Sequence, residues 1–217
     1  KHIALLTTLL LSASLQAVEK PYDYVFFENS LMKGDYFYSQ AKYTSPSWIK
    51  NARHHLPVAG SVAFTPGNSL ELTYVSAPSG DWYSEIQYCP VRGNDFFREP
   101  STLSMQVQLR ESMNAAALPN IAIRYADSTY TQYLNLRNYL KDTRPGVWHS
   151  VSIPLKDFGL NAVNDTNIKK LAAVALRPGT ADGNEYTIYL DDIELLPASL
   201  PSVSTLNAPV LQEAKAY

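Results

Sequence analysis

The chain has 217 residues, 46% apolar and 18% charged, with 18 basic against 20 acidic side chains and no basic run. That is ordinary globular composition, and the near-balanced charge excludes the basic surface that nucleic acid or an anionic membrane would require. A single cysteine, Cys89, excludes an intramolecular disulfide, so packing, with or without a bound metal, has to hold the fold.

The opening KHIALLTTLLLSASLQA has a basic start, an apolar run from Ile3 to Leu11 and small residues toward Ala17. This pattern predicts a secretory signal peptide over residues 1–17. The run is shorter than the roughly twenty apolar residues of a membrane span. The mature chain is therefore expected to be secreted, periplasmic or on the cell surface, with no span. Residues 18–197 read as one domain. Residues 198–217 read as a Pro- and Ser-spaced linker entering a following, fibronectin type III-like domain, which makes downstream domains of the same polypeptide expected partners.

Fifteen Tyr and 14 Pro against nine Gly suit strands and ordered loops better than helices. SLELTYVSA places Leu70, Leu72 and Tyr74 on one face. DWYSEIQY puts Trp82, Ser84, Ile86 and Tyr88 on one face and Tyr83, Glu85 and Gln87 on the other. TLSMQVQLRE sets Leu103, Met105, Val107 and Leu109 against Ser104, Gln106, Gln108 and Arg110, the cleanest period of two in the chain. NIAIRYA, YTQYLNL, WHSVSIPL, KLAAVAL and YTIYLDDIELL follow, separated by turn signals such as ADST, RPGVW, KDFG and RPGTADGN. KLAAVAL suits helix or strand by composition. It reads as a strand because Arg177-Pro178-Gly179 ends it early. About eight to ten short strands and no long helical period predict an all-β antiparallel sandwich.

No catalytic constellation emerges. The histidines His2, His54, His55 and His149 have no Gly-x-Ser-x-Gly elbow beside them, and there is no His-Glu-x-x-His, cysteine pair or phosphate loop. Asp191 and Asp192 are poorly placed as a hydrolytic pair, because neighbouring strand residues point to opposite faces. Sugar binding asks instead for aromatic faces and hydrogen-bonding side chains on a rigid sheet. Gln106, Gln108 and Arg110, joined by Tyr83 and Gln87 and extended by Arg124 and Tyr133, would supply such a surface if their strands are neighbours. A plain solvated sheet face is the alternative. Trp82 and Trp148 sit on apolar-patterned strands and read as core. Trp48 reads either as a lid over the core or as an exposed stacking ring.

VFFENSLMKGDYFYS, VWHSVSIPLKDFGL and YTIYLDDIEL together resemble jelly-roll carbohydrate-binding modules of the galactose-binding-like superfamily. More narrowly, FFENSLMKGDYFYSQAKYTSPSW with GTADGNEYTIYLDDIELLP is similar to N-terminal modules of exported Bacteroidetes proteins. There a fibronectin type III-like and then a glucoamylase-like glycoside hydrolase domain often follow. The resemblance implies that first and last strands pair, with a structural calcium ion beside them held by Glu28, Asp191 and Asp192; Asn29, next to Glu28 in the chain, is a further candidate oxygen donor by adjacency alone. The alternative is a bulge at the twin aspartates that turns both carboxylates to water or to basic partners. It also implies a non-catalytic module that binds a polysaccharide or oligosaccharide for a tethered hydrolase. Two other readings stay open: a structural module that positions downstream domains without touching glycan, and a stand-alone jelly-roll lyase or hydrolase.

Overall fold

The computed structural model describes residues 24–89, 100–160 and 170–197. The expected signal peptide and linker lie outside the described residues. The strands are β1 (Tyr24–Phe27), β2 (Asp35–Tyr36), β3 (Ser39–Thr44), β4 (Trp48–Ile49), β5 (Leu56–Ala59), β6 (Ser69–Val75) and β7 (Asp81–Gln87). They continue with β8 (Pro100–Leu109), β9 (Asn120–Tyr125), β10 (Leu134–Asn135), β11 (Trp148–Pro154), β12 (Leu171–Arg177) and β13 (Glu185–Pro197). KLAAVAL is a strand, β12, as its early terminator requires. YTQYLNL pairs only over Leu134–Asn135. The short strands β2 to β5 carry no sustained alternation, so periodicity does not reveal them.

Two antiparallel sheets face each other. An eight-stranded sheet runs β11-β8-β13-β6-β5-β2, with β1 on β13 and β4 on β6, and a five-stranded sheet runs β10-β9-β12-β7-β3. Their inner faces interdigitate. Leu70, Leu72 and Tyr74, then Leu103, Met105, Val107 and Leu109, meet Trp82, Ile86, Ile121, Ile123, Val174 and Leu176 in one buried cluster. Its two fully buried polar-tipped rings are satisfied: Tyr74 Oη donates to Ala117 O at 3.0 Å and Trp82 Nε1 to Ser76 Oγ at 2.9 Å.

The long strand β13 organises the larger sheet. One edge pairs with β8 almost throughout, while the other pairs with β6 over Glu185–Leu190 and then with β1 over Ile193–Leu195. First and last strands therefore meet, as the resemblance implies. The inward residues run Tyr186, Ile188, Leu190 and then Ile193, Leu195, all buried. Alternation slips by one residue between Leu190 and Ile193, where the register to β8 also shifts. Asp192 takes up the extra residue at φ 46°, a left-handed conformation that Asp tolerates better than most side chains.

Asp191 stays in phase with the outward residues yet is wholly buried, because the 61–68 loop folds over it. Its Oδ2 accepts from Phe64 N (2.8 Å) and Thr65 N (3.2 Å), and its Oδ1 from Asp192 N (2.9 Å). Asp192 Oδ2 accepts from Thr65 Oγ1 at 2.7 Å. The bulge is real, but these carboxylate oxygens accept from a loop backbone and a threonine. They do not turn to water or basic side chains.

Burial outweighs the three N–H donors and pushes the Asp191 carboxyl up to about 6. An unfolded aspartate titrates near 4, so the folded state holds this proton more tightly than the unfolded one. The stability it contributes is complete below about pH 4 and lost as pH rises through about 6. Urea unfolding with chelator present is expected to show that decline, and Asp191→Asn to flatten it. An unchanged pH slope in the variant would show that the carboxyl does not titrate there.

Candidate functional site

Four of the seven expected sugar-contacting residues come together. Tyr83 and Gln87 on β7, Arg124 on β9 and Tyr133 just before β10 belong to the five-stranded sheet. Gln106 and Gln108 on β8, with Arg110 just past its end, belong to the eight-stranded sheet. The single surface expected from joining them does not form. It required β7 and β8 to be neighbours, whereas β7 pairs with β3 and β12, and β8 with β11 and β13.

On the five-stranded sheet, strict alternation turns Asp81, Tyr83, Glu85 and Gln87 outward from β7. Across the register, Glu85 stands opposite Ala175, which stands opposite Ala122, and Arg177 opposite Asn120. Ala122, Ala173 and Ala175 are fully buried although they point away from the core. Longer side chains lie over them. Arg124 and Tyr130, bridged on the far side of β9, reach across this small-residue floor to Glu85 on β7. Arg124 Nε lies 2.6 Å from Glu85 Oε1, and Tyr130 Oη donates to the same oxygen at 3.2 Å. Glu85 is 3% exposed, so removing Arg124 would strand a buried charge at a cost of about 3–5 kcal/mol.

Tyr83 Oη and Tyr130 Oη are 3.2 Å apart. Burial first, then the Glu85 carboxylate, push the Tyr83 phenol well above its ordinary range, so it is a neutral donor. Arg177 completes the cluster. Its guanidinium lies 5.4 Å from the Tyr83 ring centre and 5.7 Å from that of Tyr133, donates to Tyr133 Oη at 3.1 Å, and reaches Asp81 Oδ2 at 3.2 Å. The Tyr130 and Tyr133 rings stack at 6.0 Å and 28°. The result is a neutral platform of paired charges and half-exposed rings. Asp81 and Glu85 both face arginines, so this surface offers no acid pair for glycoside hydrolysis.

Sequence reading missed Glu85, Tyr130 and Arg177 as members of the site. Arg177 could have been found, since it continues the outward phase of Ala173 and Ala175. Tyr130 could not, because its contact with β7 spans two intervening strands. Trp82 is core, as expected. Trp148 is not: it pairs with Gln108 on the outward phase of β11 and meets Phe64 edge-on, with ring centres 6.0 Å apart at 69°. The apolar inner row of that strand is Val151 and Ile153, one residue out of step with Trp148. Trp48 is half-buried at a β6 pairing position.

Glu28 lies one residue past the Phe27–Ile193 pair, beyond the end of β1. Among the described residues no three His, Cys, Asp or Glu side chains form a group able to hold a metal, and the Asp191 oxygens are taken by N–H donors. Apart from Ser84 Oγ on β7, two buried side-chain oxygens among the described residues nonetheless have no hydrogen-bond partner, Asn29 Oδ1 and Asp192 Oδ1. Both side chains border the same loop, for Asn29 packs where a side chain on Gly67 (φ 145°) would stand and Asp192 bonds Thr65. A hard cation suits such oxygens.

A cavity of about 260 Å³ lies between Asn29, Ser30, Tyr36, Tyr38 and Cys89, rimmed by Leu31, Met32 and Phe37, which are 92%, 46% and 63% exposed.

The family model for carbohydrate binding domain 30 matches residues 23–196. An exo β-1,2-glucooligosaccharide sophorohydrolase of Parabacteroides distasonis is 98% identical over all 217 residues, and the chain spans 30% of its length. The crystal structure of a β-1,2-glucanase from the same organism shares 97% identity, with a TM-score of 0.82 over 91% of this chain and 28% of that one. A family 30 carbohydrate-binding module of a Clostridium thermocellum cellulosomal cellulase is 15% identical. It superimposes at a TM-score of 0.56 over 82% of this chain and 99% of that module, a likeness of fold.

Proposed function

The chain belongs to the carbohydrate binding domain 30 family, and from that membership we propose that it is a non-catalytic module that holds a longer, exported glucan-degrading polypeptide against its substrate. The residues that bind are proposed to be Tyr83, Gln87, Arg124, Tyr130, Tyr133 and Arg177, on the outer face of the five-stranded sheet. The observation that carries this placement is Arg177 lying between the Tyr83 and Tyr133 rings. It fixes an aromatic edge beside directed donors, the combination that a pyranose ring and its hydroxyls recognise. Because the near-identical relatives act on β-1,2-linked glucans, the proposed ligand is a β-1,2-glucan chain. Weak contacts suffice when the catalytic partner is tethered, since tethering raises local concentration. Calorimetry and affinity electrophoresis test the reading. Tyr133→Ala with Arg177→Ala is expected to weaken β-1,2-glucan binding at least tenfold, about 1.4 kcal/mol. A folded module that binds no β-glucan would reject the reading.

Calcium is proposed to reinforce the junction of β1 and β13, held by Asp192 and Asn29 with Glu28 just past the end of β1. Asp191 acts instead as the anchor of the loop. A metal bound only by the folded state raises the unfolding midpoint. Calcium is expected to do so in the native chain and not in Asp192→Ala, with EDTA reversing the rise.

A second role is favoured by Leu31, Met32 and Phe37. Three exposed apolar side chains around one cavity are more than scattered surface residues require. This patch is proposed to pack against the remainder of the longer polypeptide. Leu31→Ser with Phe37→Ser should leave the isolated module's unfolding midpoint unchanged and lower that of the full-length protein in scanning calorimetry. Equal effects in both would remove the second role.

A further inference from the structure

The outer face of the eight-stranded sheet carries a second surface that the platform of tyrosines does not use. On the outward phase of β8 stand Thr102, Ser104, Gln106 and Gln108, and on that of the adjoining β11 stand Trp148, Ser150 and Ser152. None of these seven positions is charged. That is unusual for a solvated face, and more so because β11 is the edge of its sheet, where natural proteins place charges to discourage strand addition. In the same register Trp148 lies opposite Gln108, which lies opposite Tyr189 on β13. Ser150 Oγ donates to Gln106 Oε1 at 3.0 Å.

Over this row stands Phe64, 49% exposed. An exposed ring on a loop would ordinarily be mobile, but its own backbone N–H is bonded by the buried Asp191 carboxylate at 2.8 Å, and the next N–H by the same oxygen. Phe64 is thereby held edge-on to Trp148, with ring centres 6.0 Å apart at 69°. Two rings near a right angle make a corner, a floor and a wall, bordered by amides and hydroxyls.

We propose that this corner of Trp148 and Phe64, with Gln106 and Gln108, is a second glycan-binding surface that takes a neutral β-glucan chain independently of the Tyr133–Arg177 platform. The partner's chemistry follows from what the face lacks and what it offers. Its outward rows on β8 and β11 have no charge to pair with an acidic or basic ligand, the flanking charges being Arg110 past the end of β8 and Glu194 opposite Ser104. Its apolar area is two rings set among hydroxyls and amides, whereas a docked protein would want a broader apolar core. A sugar presents an apolar ring face and a rim of uncharged hydroxyls, which match the rings and the polar side chains respectively.

The test separates the two faces. Migration in gels containing soluble β-1,2-glucan or mixed-linkage β-1,3-1,4-glucan is compared for wild type, Tyr133→Ala/Arg177→Ala, and that double variant carrying Phe64→Ser or Trp148→Ala. The expected result is residual retardation in the double variant that falls about tenfold on adding either further substitution. Phe64→Ser removes an exposed ring and leaves the Asp191 bonds to the backbone, so it keeps the test valid should Trp148→Ala unfold. No retardation left in the double variant, or residual retardation untouched by both substitutions, would overturn the second surface while leaving the platform standing. Sedimentation that finds a dimer dispersed by Phe64→Ser would instead assign the face to a second copy and overturn it as well.

Discussion

The fold depends on how one strand changes partners without leaving open backbone. β13 lies at the centre of the larger sheet, yet no single strand covers its second edge. β6 pairs with its first half and β1 with its second. At the handover a ladder hydrogen bond has no strand to receive it, and an unpaired buried backbone group costs about as much as a lost hydrogen bond. Asp191 fills that gap. Its two oxygens accept N–H groups from the loop that crosses the junction and from the bulge itself. A charged acceptor is the stronger choice for three converging donors, and burial of that charge is what raises the carboxyl's titration.

The same economy of backbone and charge shapes the smaller sheet. An outward sheet face is normally wet, but three alanines at its centre leave a floor shallow enough for Arg124 and Tyr130 to lie flat. They meet Glu85 from the opposite side and close a network that joins β7 to the strand beyond β12. Larger residues at 122, 173 or 175 would lift those side chains off the sheet and break the pairing of Glu85. The same network underlies Arg177 and Tyr133, so the proposed binding surface would be rigid before any ligand arrives. Preorganised groups give up little entropy on binding, which matters most where each contact is weak.

How much of this was legible in sequence can be judged residue by residue. The sandwich was, because Leu103 to Leu109 and their neighbours alternate strictly and the turn signals between them are strong. The bulge was legible too, in the three-residue step from Leu190 to Ile193, although the adjacency of two acids drew attention to a metal instead of to backbone donors. The meeting of β1 with β13 came from family likeness and not from periodicity. The composition of the face was legible only in part. Alternation says which way Tyr83 or Gln106 points, but not which sheet it belongs to, since β7 and β8, consecutive in the chain, lie in opposite layers. Trp148 was misassigned for a related reason. A large ring on an apolar-patterned strand suggests core until the phase is counted from Val151 and Ile153.

One consequence of the two-layer arrangement concerns how such a module would work in a longer polypeptide. The tyrosine platform and the Trp148–Phe64 corner lie on opposite outer faces of a sandwich about two sheets thick, so a single stiff chain could not occupy both at once. Two chains could. A module with a recognition surface on each side, tethered to a hydrolase, would sit between strands of polymer and not along one of them. Avidity would then come from bridging and would depend on polymer length and density more than on either surface alone. The apolar patch of Leu31, Met32 and Phe37 belongs to the β1–β3 region, which neither ring cluster includes. A partner docked there would leave both outer faces of the sandwich open.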